Sequence, residues 1–197
     1  MARRSPAKSR HNRVKAKKAA GRALEVQPKT NSNTMLAIIQ SITKDLACAT
    51  NVEKILAVEK HLLSLGTTES VEFELKHRFI EGVYARELFI PKGTLLTGAI
   101  HKQAQVNIIS AGDISVLTAE GVIRVQAPYT IISPPGVKRL GYAHTDTVWT
   151  TILHTNERDV AVIEDTLIAK SFADFDQFLL EGGTKSWPLS LAQFPQQ

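Results

Sequence analysis

The sequence predicts a mainly β domain, a sandwich or small barrel within an α+β chain, with α-helices on both sides and a basic arm in front. Three observations lead there. From Val71 onward, β-rich runs follow one another, several of them alternating apolar with polar: VEFEL, GVYARELFI, TLLTGAI, VNII, DISVL, VIRVQ, YTIIS and TVWTTIL. Ahead of them the apolar spacing is three and four, as on one face of a helix. The charge, finally, is split between two bodies. Residues 1–29 hold ten Lys or Arg against Glu25 alone, a net +9, so the rest of the chain carries −4 of the total +5.

The arm and its linker occupy residues 1–33. Arg3, Arg4, Lys8, Arg10, Arg13, Lys15, Lys17, Lys18 and Arg22 stand among Ala, Ser and Asn, with almost no large apolar side chain before Leu24. Such a segment buries too little to offset the entropy of ordering, so it is expected to be disordered when unbound. Residues 34–70 form a helical segment. Met35, Leu36, Ile38, Ile39, Ile42 and Leu46 make one stripe. Thr50-Asn-Val-Glu53 has the form of a capping box opening a second helix, with Val52, Ile55, Leu56, Leu62 and Leu63 as its stripe and Gly66 as its stop.

Residues 71–156 form the barrel. Its strands are divided by Pro91-Lys-Gly93, Ala111-Gly-Asp113, Ala119-Glu-Gly121, Ala127-Pro128 and Ser133-Pro-Pro-Gly136, residues that favour turns. Residues 157–197 supply two more helices, Glu157 to about Lys170 and Ser171 to Leu180, ended by Gly182-Gly183, and a tail whose Trp187 and Phe194 clip onto the domain. The hydrophobic share of 43% suffices for a real core. No apolar run reaches the roughly 18 residues of a membrane span, and the N-terminus lacks the apolar stretch of a secretory signal. A soluble protein that is not exported by a signal peptide is the expectation. Cys48 is the sole cysteine, which excludes an internal disulfide.

One spacing is more specific. Gly93, five residues, Ala99, one residue, His101, three residues, Gln105, six residues, Gly112 reproduces the spacing of the first cupin motif. Pro134-Pro-Gly136, two residues, then Arg139 gives a looser second motif. With HRFIEGVYARELFIPKGT, APYTIISPPGVKR and DTVWTTILHT, the region of about residues 70–170 resembles cupin-like proteins of tailed bacteriophages. The resemblance implies a cupin-like β-barrel or jelly roll and a homodimer, and, for a phage-encoded chain, a place in the host cytoplasm or in a virion. In metal-binding cupins these motif positions supply two His, a Glu and a further His. Here Ala99, Gln105 and Arg139 replace three of them and only His101 remains, so the resemblance carries a degenerate metal site. Arg139 would put a fixed positive charge where the cation sits. No metal or other cofactor is therefore expected. His77, His144 and His154 are further metal-ligating residue types, each read as a strand-edge or core histidine.

His101, Gln105 and Arg139, if they point inward, make a neutral-to-cationic cluster suited to a carboxylate or phosphate. Arg139 then needs a partner, either a carboxylate such as Glu87 or Asp113 or a bound anion. No phosphate loop, nucleophile elbow or helical zinc motif occurs. The leading expectation is a non-enzymatic, phage-type structural or interaction protein whose arm contacts nucleic acid or an acidic protein. With no aromatic residue among the arm's charges, such contact would be to phosphates and independent of sequence. The alternatives are a small-molecule-binding or metal-dependent cupin enzyme using His101, Gln105, His144 and His154, and a coat or decoration protein of a virion.

Overall fold

A computed structural model of the chain describes Glu25–Val26, Ser41, residues 49–65 and residues 73–183. Most of the arm, the Met35–Leu46 stripe, Cys48, Gly66 and the Trp187–Phe194 tail lie outside the described residues. In chain order the elements are β1 (Glu25–Val26), α1 (Asn51–Ser64), β2 (Leu75–Ile80), β3 (Val83–Ile90), β4 (Leu95–Thr97), β5 (Ile100–His101) and β6 (Gln105–Ala111). There follow β7 (Asp113–Leu117), β8 (Val122–Gln126), β9 (Tyr129–Ser133), β10 (Leu140–Ala143), β11 (Thr147–His154), α2 (Val160–Leu167), β12 (Ile168–Ala169) and α3 (Phe172–Leu180).

Ten strands form two five-stranded antiparallel sheets, a first in the order β1-β4-β10-β7-β8 and a second in the order β2-β3-β11-β6-β9. The chain switches sheets between β1 and β2, β3 and β4, β4 and β6 (by way of β5), β6 and β7, β8 and β9, β9 and β10, and β10 and β11, the winding of a jelly roll. One buried cluster joins the inner faces: Leu88, Ile90, Ile109 and Ile131 from the second sheet meet Leu96, Ile114, Val116 and Val125 from the first. Burying a Leu or Ile side chain of this kind is worth about 1.5–3 kcal/mol, so the interleaved faces hold the sheets together. This is the mainly β architecture with flanking helices that the sequence predicts.

The expected turns fall between strands, and four glycines there have positive φ: Gly93 at 81°, Gly112 at 98°, Gly121 at 143° and Gly136 at 80°. The capping box also forms. The Thr50 hydroxyl accepts from the Glu53 amide at 3.3 Å while Glu53 accepts from the Thr50 amide at 2.7 Å. Helix α1 then packs Ile55, Val58 and Leu62 against Leu95 and Leu140 of the first sheet. Leu56 and Leu63 drop out of the expected stripe and are exposed, because only a narrow face of the helix meets the sheet. Glu59, on that helix, holds the buried Lys138 ammonium at 2.5 Å.

Four boundaries differ from expectation. Glu25–Val26, read as part of a disordered arm, pair as β1 with Leu95 and Leu96 of β4. Of the strand expected over Val71–Leu75, residues 71–72 lie outside the described residues and Phe73-Glu74 are not strand; β2 runs from Leu75 to Ile80, the alternation continuing through HRFI. The helix expected from Glu157 to Lys170 is shorter. Asp159 caps it, and Glu157 accepts from the Arg158 and Asp159 amides at 2.7 and 2.9 Å, which fixes the turn before it. The helix ends because Ile168, at φ −113° and ψ 127°, turns into strand to pair with His101. Helix α3 follows from its Ser171 cap to Leu180, and Gly182 at φ 97° closes it as expected. No described helix is long and apolar enough to cross a membrane.

Candidate functional site

The register of the second sheet places a polar row across its inner face. His77 lies opposite Arg86, Arg86 opposite Thr151, Thr151 opposite Asn107 and Asn107 opposite Ile131. Two residues along every strand the composition changes. On one side the row reads Leu75, Leu88, Trp149, Ile109, Tyr129; on the other it contains Phe79, Tyr84 and Leu153. A belt of hydrogen-bonding groups thus crosses the middle of an otherwise apolar wall. Asn107 anchors it, fully buried. Its amide donates to Ser133 Oγ at 2.6 Å, and its carbonyl accepts from Trp149 Nε1 at 3.0 Å and Thr151 Oγ1 at 2.9 Å. Buried polar groups are tolerated when each is partnered in this way.

Above the belt lies a cavity of about 110 Å³ between the sheets. The first sheet and the segment leading to β10 contribute Leu96, Ile114, Val116 and Arg139, and α2 contributes Ile163, Glu164 and Leu167. Ala99, His101, Gln105 and Arg139, the four residues at the cupin-motif positions, all line this cavity, together with Arg86. The turns explain why. The His101 carbonyl accepts from the Gly136 amide at 2.9 Å, which ties the first motif to the Pro-Pro-Gly turn of the second. A Cβ on Gly136 would lie 2.5 Å from Cε1 of Phe175.

The electrostatics are cationic. Burial, then the charges of Arg86 and Arg139, push the His101 imidazole down to about 3, so it is neutral at physiological pH. Burial lowers Arg139 to about 10, with Glu120 acting weakly in the other direction, and leaves it a cation. The carboxylates expected as its partners are engaged elsewhere. Glu87 pairs with Arg78 at 3.4 Å and Lys76 at 3.7 Å. Asp113 receives both Arg124 Nε at 2.9 Å and Nη2 at 2.7 Å, which lowers its own pKa. Among the described residues neither Arg86 nor Arg139 is in an ion pair. Three buried atoms of the cavity residues have no hydrogen-bond partner: Arg139 Nε, Gln105 Oε1 and His101 Nδ1.

A cupin metal does not fit this set. Of the four motif positions only His101 is a conventional ligand, and two guanidinium groups line the same cavity against the single carboxylate of Glu164. Among the described residues no three His, Cys, Asp or Glu side chains gather to hold a metal ion. The alternative set of His101, Gln105, His144 and His154 is not assembled. His144 bonds Ser115 Oγ at 2.7 Å and His154 is exposed beside the Gly82 hairpin, while neither lines the cavity. His77 stacks on Tyr84 and its Nδ1 lies 2.7 Å from the phenol oxygen. The arm residues Arg3 to Arg22 lie outside the described residues.

Arg86, Asn107, Thr151 and Glu164 escaped the sequence reading. A signal existed for the first. In YARELFI the inward positions 84, 86, 88 and 90 read Tyr, Arg, Leu, Ile, a charge on an apolar face. No protein-family model matches the chain, and no curated protein matches it. Solved structures to which it is similar include a cupin domain from Bordetella pertussis Tohama I, at 20% identity over 42% of this chain and 93% of that one, TM-score 0.35. An RmlC-like cupin from Shewanella frigidimarina NCIMB 400 is similar at 20% identity over 48% and 91%, TM-score 0.36. A cupin-like protein from Thermotoga maritima MSB8 is similar at 13% identity over 45% and 74%, TM-score 0.38.

Proposed function

We propose that this cupin-type barrel is a metal-independent receptor for a small anion and that the chain is a non-enzymatic binding module. One observation carries the reading: Arg86 and Arg139 face the same cavity, with Arg139 Nε unsatisfied and no carboxylate paired with either guanidinium among the described residues. An isolated buried charge is costly, and an oxyanion relieves that cost with charge-assisted hydrogen bonds. Titration calorimetry with acetate and with inorganic phosphate tests it. Binding of at least one anion, lost in Arg139→Gln, is the expected result; a folded protein that binds neither overturns the reading.

The basic arm supports a second role for the same chain. Its net +9 suits phosphates of nucleic acid or an acidic protein surface, as in a phage-type structural, coat or decoration protein, and a homodimer would present two arms together. If every net charge met a phosphate of duplex DNA, affinity would fall with salt at a log–log slope of about −8. Gel shifts at two salt concentrations, with and without residues 1–22, test this role. Indifference to nucleic acid would leave only the protein-docking use of the arm.

A further inference from the structure

We infer that the barrel's ligand is a short-chain hydroxycarboxylate: a monoanion whose carboxylate meets Arg139 and Arg86 and whose hydroxyl donates to Gln105. This rests on the cavity being an anion receptor and adds the chemical class of the anion.

Charge selects the monoanion. The cavity is lined by two guanidinium groups and one carboxylate, that of Glu164, while His101 is neutral. The lining therefore carries about +1, which one carboxylate cancels and a phosphate dianion would exceed.

The unsatisfied atoms select the hydroxyl. Arg139 Nε is a donor and needs an acceptor, which the carboxylate provides. Gln105 Oε1 is an acceptor and needs a donor. A simple fatty acid has none and would bury that carbonyl unpaired. A hydroxyl on the carbon chain supplies the proton, and its oxygen can accept from the remaining group, His101 Nδ1, in the tautomer that protonates that nitrogen.

Volume selects the chain length. At about 110 Å³ the space is smaller than the apolar cavity of about 150 Å³ that takes benzene, so roughly four to six non-hydrogen atoms fit. The apolar lining offered by Leu96, Ile114 and Val116 of the first sheet suits a methyl end opposite the polar belt.

Matched pairs test the inference on the full chain by calorimetry: lactate against propionate and glycolate against acetate, each lactate enantiomer separately, with inorganic phosphate alongside. The expected result is roughly tenfold or tighter binding of at least one hydroxy acid over its deoxy partner, the discrimination that an unpaired buried acceptor imposes. In Gln105→Met the two members of that pair should bind alike, and Arg139→Gln should bind neither. Equal binding of hydroxy and deoxy acids by the parent overturns the hydroxyl assignment and leaves the anion receptor standing. Binding of phosphate but of no carboxylate overturns the monoanion class. Binding of none of these overturns the receptor itself. The parent comparison decides even where a variant fails to fold.

Discussion

Arg86 on β3 and Arg139 just ahead of β10 reach one cavity from opposite sheets, and among the described residues neither is in an ion pair. The second sheet supplies one guanidinium within its polar row. The first sheet's approach supplies the other from the Pro-Pro-Gly turn. The molecule thereby holds two like charges on the lining of one small cavity, a cost in the absence of an anion.

That cost makes a stability prediction. In a buffer without organic anions, Arg139→Met should be more stable than the parent by about 1 kcal/mol, since removing a half-buried charge that is in no ion pair among the described residues recovers desolvation energy. The melting temperature should rise by roughly 2–4 °C. A drop instead would show that Arg139 is fully partnered within the fold.

The His101 imidazole predicts a pH dependence of stability. Its folded pKa, about 3, lies below the ordinary histidine value of 6.5. Between those values the unfolded chain takes up a proton that the folded chain refuses, so stability is full above pH 6.5 and falls as pH drops toward 3. The loss from this residue approaches roughly 1.4 kcal/mol per pH unit once the unfolded imidazole is protonated. Melting curves from pH 7 to pH 4 should be flatter in His101→Gln than in the parent; parallel curves would mean that His101 titrates normally.

Glycine substitutions separate backbone strain from crowding. Gly93 and Gly112 both have positive φ, yet a Cβ on Gly93 meets nothing within 4 Å while one on Gly112 would lie 2.5 Å from the Asp146 carbonyl oxygen. Gly93→Ala should cost about 1–2 kcal/mol, the penalty of a left-handed conformation. Gly112→Ala should cost clearly more and reduce the yield of soluble protein. Equal denaturation midpoints would show that the β6–β7 turn shifts to make room.

Two truncations should behave differently. Removing residues 1–22 takes away most of the basic arm and should leave the melting temperature within a few degrees. Extending the deletion through residue 29 also removes β1, exposing the hydrogen-bonding edge of β4. The longer truncation should melt lower or self-associate on size-exclusion chromatography; identical behaviour of the two would make β1 dispensable.

The motif positions predict a gain of function. Ala99, His101, Gln105 and Arg139 all line the cavity, so Ala99→His, Gln105→Glu and Arg139→His together rebuild a four-ligand set. The triple variant should retain a divalent metal through desalting, read by elemental analysis. A folded variant that retains none would show that the four side chains do not converge.

Much of the barrel was legible because alternation and turn residues are local signals. Pro91-Lys-Gly93, Ala111-Gly-Asp113 and Ser133-Pro-Pro-Gly136 each end one strand and precede another, and Thr50 with Glu53 marks a helix start within four residues. The spacing that joins Ala99, His101, Gln105 and Arg139 is a local signal too, and these four residues share one cavity lining. Their neighbours in that lining were not legible. Asn107 and Thr151 lie side by side only through the β6–β11 register, and Glu164 reaches the cavity only once α2 packs over it. Such placement depends on pairings distant in sequence. The ending of α2 was misread because helix-forming residues run on past Leu167, while tertiary pairing with β5 turns Ile168 into strand.

The two-stranded sheet of β5 and β12 has a consequence for the order of assembly. His101 is held by Ile168 across that sheet, and the neighbouring Lys102 amide donates to the Leu167 carbonyl at 2.8 Å. A ribosome therefore delivers the motif strands well before the residues that fix them. The cavity cannot close until residue 169 has emerged, so a nascent barrel carries an open mouth lined by two unpaired guanidinium groups. Completion of the cavity wall is therefore coupled to synthesis of the last third of the chain.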